Sequence, residues 1–278
     1  MRRLATRANA APFVTGQPSH HRRGTFALLA AVLALAPAAA RAVLPDEIQV
    51  YANDINRSQD FGLELHLNTT PSGRSTPDFP DEIPPAHGLR VTPELSWGLT
   101  RAFEAGLYLP FVHGAHGRDR FAGPKLRLKW LPLHVEEGAA GLFGGVNFEY
   151  AWISPVLEQA TRQAEIRPIV GWRDEQWLIA LNPILDFALA GAEQSRRPDF
   201  NPALKIARSV AQGVALGAEY YANLGKLNHF LPRASQSHTL YVALDVDRKP
   251  WVLNFGIGRG LTAFTDRWTV KAIFEIPF

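Results

Sequence analysis

The chain has 278 residues, with 29 Lys and Arg against 26 Asp and Glu, and it contains no cysteine. Disulfides, thiol catalysis and a lipidated amino-terminal cysteine are therefore excluded. The basic excess lies in the first 42 residues, where six arginines meet no acid. Without them 23 basic residues face 26 acidic ones, which removes the electrostatic case for a nucleic-acid partner.

Residues 1–42 read as a cleaved secretory signal peptide. Arg22 and Arg23 precede an apolar run from Phe26 to Ala40, broken only by Pro37, and Ala40-Arg41-Ala42 supplies a small-x-small cleavage pattern. The run has no polar face for a soluble helix and is too short for a membrane anchor, which needs about 18 apolar residues or more. Residues 43–59, VLPDEIQVYANDINRSQ, form a segment that either hangs in the periplasm or plugs the domain beginning at residue 60.

From residue 60 the pattern changes to alternation of apolar and polar side chains, the period of an extended strand. It repeats over twelve strands. The first, Phe61 to Asn68, sets Phe61, Leu63, Leu65 and Leu67 against Gly62, Glu64, His66 and Asn68. The next three run Leu89 to Trp97, Phe103 to Phe111 and Lys125 to Trp130. Strands five to eight run roughly Ala140 to Trp152, Ala164 to Trp172, Trp177 to Leu189 and Asp199 to Ser209. The last four run roughly Val214 to Asn223, Thr239 to Val246, Trp251 to Gly258 and Trp268 to Phe278. Soluble strands average ~5–6 residues, whereas these run nearer ~10, enough when tilted to cross a bilayer's apolar band of ~25 Å.

Two further patterns agree. Short links (LTRA, LPLHVEEG, RDEQ, VAQG, DRKP) alternate with mostly longer polar ones such as TPSGRSTPDFPDEIPPAHG and HGAHGRDRFAG. All short turns thus fall on one side. Every tryptophan, namely Trp97, Trp130, Trp152, Trp172, Trp177, Trp251 and Trp268, shares the apolar parity of its strand and sits at a strand end, as an interfacial girdle requires. The competing reading is a soluble β core, which would bury these rings near strand centres. Pro93, Pro168, Pro183 and Pro202 cut against regular strands and predict local bulges or strand ends.

The export signal, the alternating strands and the segment DRWTVKAIFEIPF resemble those of Gram-negative outer-membrane β-barrel proteins. The resemblance implies an all-β, transmembrane antiparallel up-and-down barrel over residues 60–278, with short periplasmic turns and longer extracellular loops. It further implies outer-membrane lipid and the barrel-assembly machinery as partners, with Trp268, Phe274, Ile276 and Phe278 as the assembly signal. GPKLRLKWLP, RPIVGWRDEQWLIALNPILDFAL and DFNPALKIA are loosely similar to a proteobacterial barrel family described as candidate transporters, which leaves the small solute unidentified.

With the apolar parity outward, the other parity faces a lumen rich in charge. Glu104, Lys125, Arg127, Lys129 and Glu149 are expected there, with Glu165, Arg167, Asp186, Lys205 and Glu219. They either pair across strands or line a pore, where Lys125, Arg127 and Lys129 would favour anions unless Glu104 and Glu149 neutralise them. Catalytic and cofactor signals are weak. His113, His116 and Asp119 are more simply a polar loop than a metal site. Ser235, Ser237 and His238 lack a nucleophile elbow, and GIGRG (256–260) opens no helix. The sequence-level expectation is a channel or transporter without cofactor, metal or enzymatic activity. A sealed structural barrel is the alternative, and a barrel esterase less so.

Overall fold

The structure is a computed structural model that describes residues 46–277 except His116 and Glu137. The expected signal peptide, residues 43–45 and Phe278 lie outside the described residues.

Twelve antiparallel strands close on themselves. They are β1 (Phe61–Ser72), β2 (Leu89–Gly98), β3 (Phe103–Tyr108 continued by Phe111–Gly114) and β4 (Arg118–Phe121 continued by Lys125–Leu133). Next come β5 (Gly141–Trp152), β6 (Ala160–Arg173), β7 (Trp177–Gly191) and β8 (Asp199–Ala211). The last are β9 (Val214–Asn223), β10 (Ser237–Arg248), β11 (Trp251–Gly260) and β12 (Trp268–Pro277). Each strand pairs with its chain neighbours, and β12 returns to β1 with Leu63 opposite Ile276 and Leu67 opposite Ala272. The wall closes on itself, so backbone donors along its course find partners between strands; Arg118–Phe121 is paired on one side only.

The two faces of the wall invert the order of a soluble protein. Outward positions carry apolar side chains: Leu95, Leu126, Leu128, Phe148, Ile179, Leu181, Ile206 and Val242 are all exposed. Inward positions bury His66, Asn68, Glu94, Arg127, Asn147, Glu219 and Lys271. Five of the tryptophans, Trp97, Trp130, Trp177, Trp251 and Trp268, are exposed, and Trp152 and Trp172 are half-buried. Trp97 stacks on Phe61 and Trp130 on Phe103, both pairs on the outer face at the short-turn end. A packed soluble core is overturned by this placement, because hydrocarbon is the solvent that tolerates it.

Three expectations about the strands need correction. The loop expected after strand three is mostly ladder. Phe111–Gly114 pairs with Arg118–Phe121 as a hairpin that extends β3 and β4, and Phe111–His113 also pair with Leu89–Val91 of β2. Both strands break at matching depth, β3 at Leu109-Pro110 and β4 at Ala122-Gly123-Pro124. Gly123 adopts φ +106° there, and a Cβ would meet the Trp152 carbonyl. The prolines are the third case. Pro93 does sit opposite the β3 break, but Pro168, Pro183 and Pro202 produce neither bulges nor strand ends.

Pro183 lies opposite Pro202 in an unbroken β7–β8 register. On the other side the β6–β7 ladder lapses between Ile166↔Leu185 and Val170↔Leu181, and the lapse is centred on Pro168 and Pro183. Two missing donors are concentrated in one short gap, and both strands continue past it.

Short links occupy one end of the wall, at 99–102, 174–176, 212–213 and 249–250. The other end carries 73–88, 153–159, 192–198, 261–267 and the stretch after β9, which folds a small hairpin pairing Gly225–Lys226 with His229–Phe230.

Candidate functional site: the barrel lumen

Residues 46–57 lie inside the wall. Side chains from eight strands hold this segment, mainly by its backbone, with Ser96 on β2 accepting from the Asn56 side chain at 2.8 Å. Asn182 on β7 accepts the Tyr51 amide at 2.7 Å and donates to the Tyr51 carbonyl at 2.9 Å. Lys271 on β12 donates to the Ile48 carbonyl at 2.9 Å, and Lys129 on β4 to the Asp54 carbonyl at 3.1 Å. Arg167 on β6 reaches the Gln49 carbonyl at 3.2 Å, and Glu104 on β3 accepts the Asn56 amide at 2.6 Å. The Tyr51 hydroxyl is bonded to the Tyr108 hydroxyl at 2.7 Å and donates to Glu149 on β5 at 3.2 Å. Asn68 on β1 donates to the Asp46 carbonyl.

The segment itself has no regular ladder, so these side chains supply the partners its buried backbone requires.

Every basic residue expected in the lumen is paired. Lys125 touches Glu149 at 2.8 Å, Glu47 at 2.9 Å and Asp46 at 3.3 Å. Arg127 bridges Glu94 at 2.5 Å and Glu104 at 2.7 Å, and Lys129 also contacts Glu104. Arg167 pairs with Glu165 at 2.6 Å. Lys205 sits between Asp245 and Glu219, and Glu219 also takes Lys271 at 2.5 Å. Of the two roles open to Lys125, Arg127 and Lys129, these contacts match neutralisation by Glu104 and Glu149. Lys125, Arg127, Lys129, Arg167, Lys205 and Lys271 thereby each meet an acid, the condition for keeping ions out of bulk water.

The interior also has an apolar part that charge counting overlooks. Val50, Tyr51 and Ala52 pack with Leu131, Val135, Phe143, Ile169, Ala180, Ile184 and Ala203. Leu131, Phe143, Ile169 and Ile184 fall on the inward parity of their strands. That parity was the signal available for finding them. Tyr108, Asn147, Asn182 and His66 carried the same signal as polar or aromatic residues at inward positions. Tyr51 carried none, because residues 46–57 have no period.

Toward the long-loop end a cavity of about 90 Å³ remains. Asp46, Glu149, Glu158, Glu165 and Asp186 line it, against Arg90 and Lys125 alone. Its acidity arises from the register. Glu149 lies opposite Glu165, Glu165 opposite Asp186, and Asp186 opposite Asp199, one row of carboxylates across four strands. Asp199 is taken by Lys226 at 2.6 Å, whereas Asp186 has the Asn201 amide as its hydrogen-bond donor. On the loop above the row, burial pushes the Glu158 carboxyl up to about 7, against the opposing pull of Arg90 and of its hydrogen bond from Gln163, with Asp46 and Asp186 adding to the rise.

The remaining sequence candidates lie elsewhere. His113 pairs with Asp119 on the exposed hairpin, and His116 is outside the described residues. His238 is engaged by the Tyr220 hydroxyl and Gln236, whereas the Ser237 hydroxyl accepts from Thr265. Trp268, Phe274 and Ile276 lie on β12, which pairs with β11 and β1.

Among solved structures, the chain is similar to an outer membrane channel from Pseudomonas putida, with a TM-score of 0.55 and 13% identity over 84% of this chain and 100% of that one. That likeness establishes the outer-membrane barrel fold. The KdgM porin matches with a TM-score of 0.48 and 10% identity over 78% of this chain and 99% of that one. No family model matches the sequence, and comparison with curated proteins gives no significant match.

Proposed function

We propose that this barrel is an outer-membrane channel or transporter for small solutes, gated by residues 46–57 acting as a plug. One observation carries the reading: the wall does not fill its own interior. A separate stretch of chain does so, held by side-chain hydrogen bonds to its backbone and by ion pairs through Asp46 and Glu47. Barrels of about eight strands are filled by wall side chains and those of sixteen hold open channels. Twelve strands enclose a space that one extended segment can occupy. Withdrawal of that segment would leave a narrow passage lined by Glu104, Lys125, Arg127, Lys129, Glu149 and Glu219.

The position of the tryptophans at both rims supports insertion in a bilayer, and the similar fold supports the outer membrane of a Gram-negative cell. Short turns then face the periplasm. The acid-rich cavity at the long-loop end would favour cations over anions at the outer mouth.

Planar-bilayer recording tests the proposal. Wild-type protein should give small or rare conductance steps, and a variant lacking residues 46–57 should give larger and longer ones. A sealed scaffold barrel is the second reading, favoured by the ion pairs that Lys125, Arg127, Lys129, Lys205 and Lys271 make inside the wall. It requires that the deleted variant fold, shown by heat-dependent migration in a detergent gel, and still conduct nothing.

A further inference from the structure

A second cluster of polar groups sits on the lumen wall where β1 and β2 meet. Glu64 and His66, two residues apart on β1, point to the same side, and Glu94 on β2 lies directly opposite Glu64. His66 Nε2 is 3.1 Å from Glu94 Oε2 and 3.6 Å from Glu64 Oε2, and the three ligand atoms all fall within 4.8 Å of one another. His66 and Glu94 are fully buried.

The geometry points to a divalent transition-metal site made by Glu64, His66 and Glu94, with zinc the ion that best fits its one nitrogen and two oxygen donors. Tetrahedral zinc with bonds of about 2.0–2.1 Å separates neighbouring ligand atoms by ~3.3 Å, and the two distances from His66 Nε2 bracket that value. The competing occupant of the site is a proton on His66. A single N–H is directional, though, and satisfies one carboxylate: Glu94 is at hydrogen-bond length and Glu64 is beyond it. A metal ion takes all three groups at once.

Local charge gives a second, independent argument. Glu64 lies between two directly opposed acids, Glu94 on β2 and Glu275 on β12. Like charges in that relation repel. The nearest fixed cation, Arg127, is shared between Glu94 and Glu104. Arg127 reaches Glu94 at 2.5 Å, but among the described residues no lysine or arginine pairs with Glu64, whose ion-pair partner is His66. Three protein ligands leave one position of the tetrahedron for water or for a passing solute, the arrangement of an open zinc site.

Cobalt(II) substitution tests the site in the full-length, detergent-folded protein. Wild type should bind one equivalent of Co²⁺ with the visible absorption of a four-coordinate ion, and Zn²⁺ should displace it. Glu64→Gln and His66→Gln should each weaken Co²⁺ binding by at least about tenfold, the lower bound for losing even an outer partner of a metal ligand. If His66→Gln fails to show heat-dependent migration, Glu64→Gln decides, because Glu64 is only partly buried. Absence of Co²⁺ absorption in folded wild type, or binding unaltered by Glu64→Gln, overturns the proposal in favour of a protonated His66. Neither result depends on whether the barrel conducts.

Discussion

The Asn182 carboxamide grips the Tyr51 backbone from both sides, accepting its amide hydrogen and donating to its carbonyl. One wall side chain thus stands in for the neighbouring strand that residues 46–57 lack. Asn182→Ala removes both bonds and leaves two buried backbone groups unsatisfied, a loss of about 1–3 kcal/mol for each. The variant should keep the closed wall and show more frequent conductance steps than wild type in a planar bilayer. Unchanged gating would mean that the segment is held without this contact.

Lys271 ties the segment to the far side of the lumen through the Ile48 carbonyl and Glu219. Lys271→Met should destabilise the barrel by roughly 3–5 kcal/mol, because it strips a buried acid of its closest partner. Adding Glu219→Leu should recover part of that loss, since the under-compensated acid goes with it and Lys205 keeps Asp245. Denaturant-induced unfolding in detergent, followed by gel migration, measures both.

The outer face makes a different demand. Leu128 is exposed on β4 between Leu126 and Trp130, all on the apolar parity. Leu128→Arg should cost ~2–4 kcal/mol of folding stability in a phospholipid bilayer if this position lies at mid-depth. A soluble protein would accept arginine there with little change. Folding titrations into lipid vesicles distinguish the two.

Glu158 gives the long-loop end a pH dependence. Burial holds its folded-state value at about 7, above the ordinary 4.5. Its contribution to stability is therefore fully present below about pH 4.5 and is lost as pH rises through 7. The melting temperature should fall across that window, and Glu158→Gln should flatten the fall. A slope left unaltered by Glu158→Gln would contradict the burial of this carboxyl.

Much of the wall was legible in the sequence because a bilayer imposes a period of two. Leu126, Leu128 and Trp130 alternate with Lys125, Arg127 and Lys129, and no packed core offers that contrast so evenly. The twelve strands and their order came from it. Period alone did not reveal Phe111–Gly114 and Arg118–Phe121 as a hairpin, since loop composition there, rich in Gly and charge, hid the ladder. Nor could local sequence show that Pro168 and Pro183 share one gap, a relation fixed by the register between strands.

In the lumen, parity offered Glu104 and Glu149 as partners for Lys125, Arg127 and Lys129, but it could not offer the partners contributed by residues 46–57. Residues 46–57 carry no strand or helix pattern, and their conformation is dictated by Asn182, Lys271 and Arg167, all far away in the chain. Register sets Glu64 opposite both Glu94 and Glu275, a relation that no single strand shows.

Closure of the wall brings Gly62 against Pro277, nearly the whole described chain apart. Residues 46–57 come before the first strand of that wall and end up within it. A finished cylinder would have to admit them through an end already lined by their partners. The simpler order of events has the early segment present while the sheet is still an open trough, and β12 sealing it in as the last act. The seam between the first and last strands is then the step that fixes the shape of the barrel around a segment held by hydrogen bonds and ion pairs.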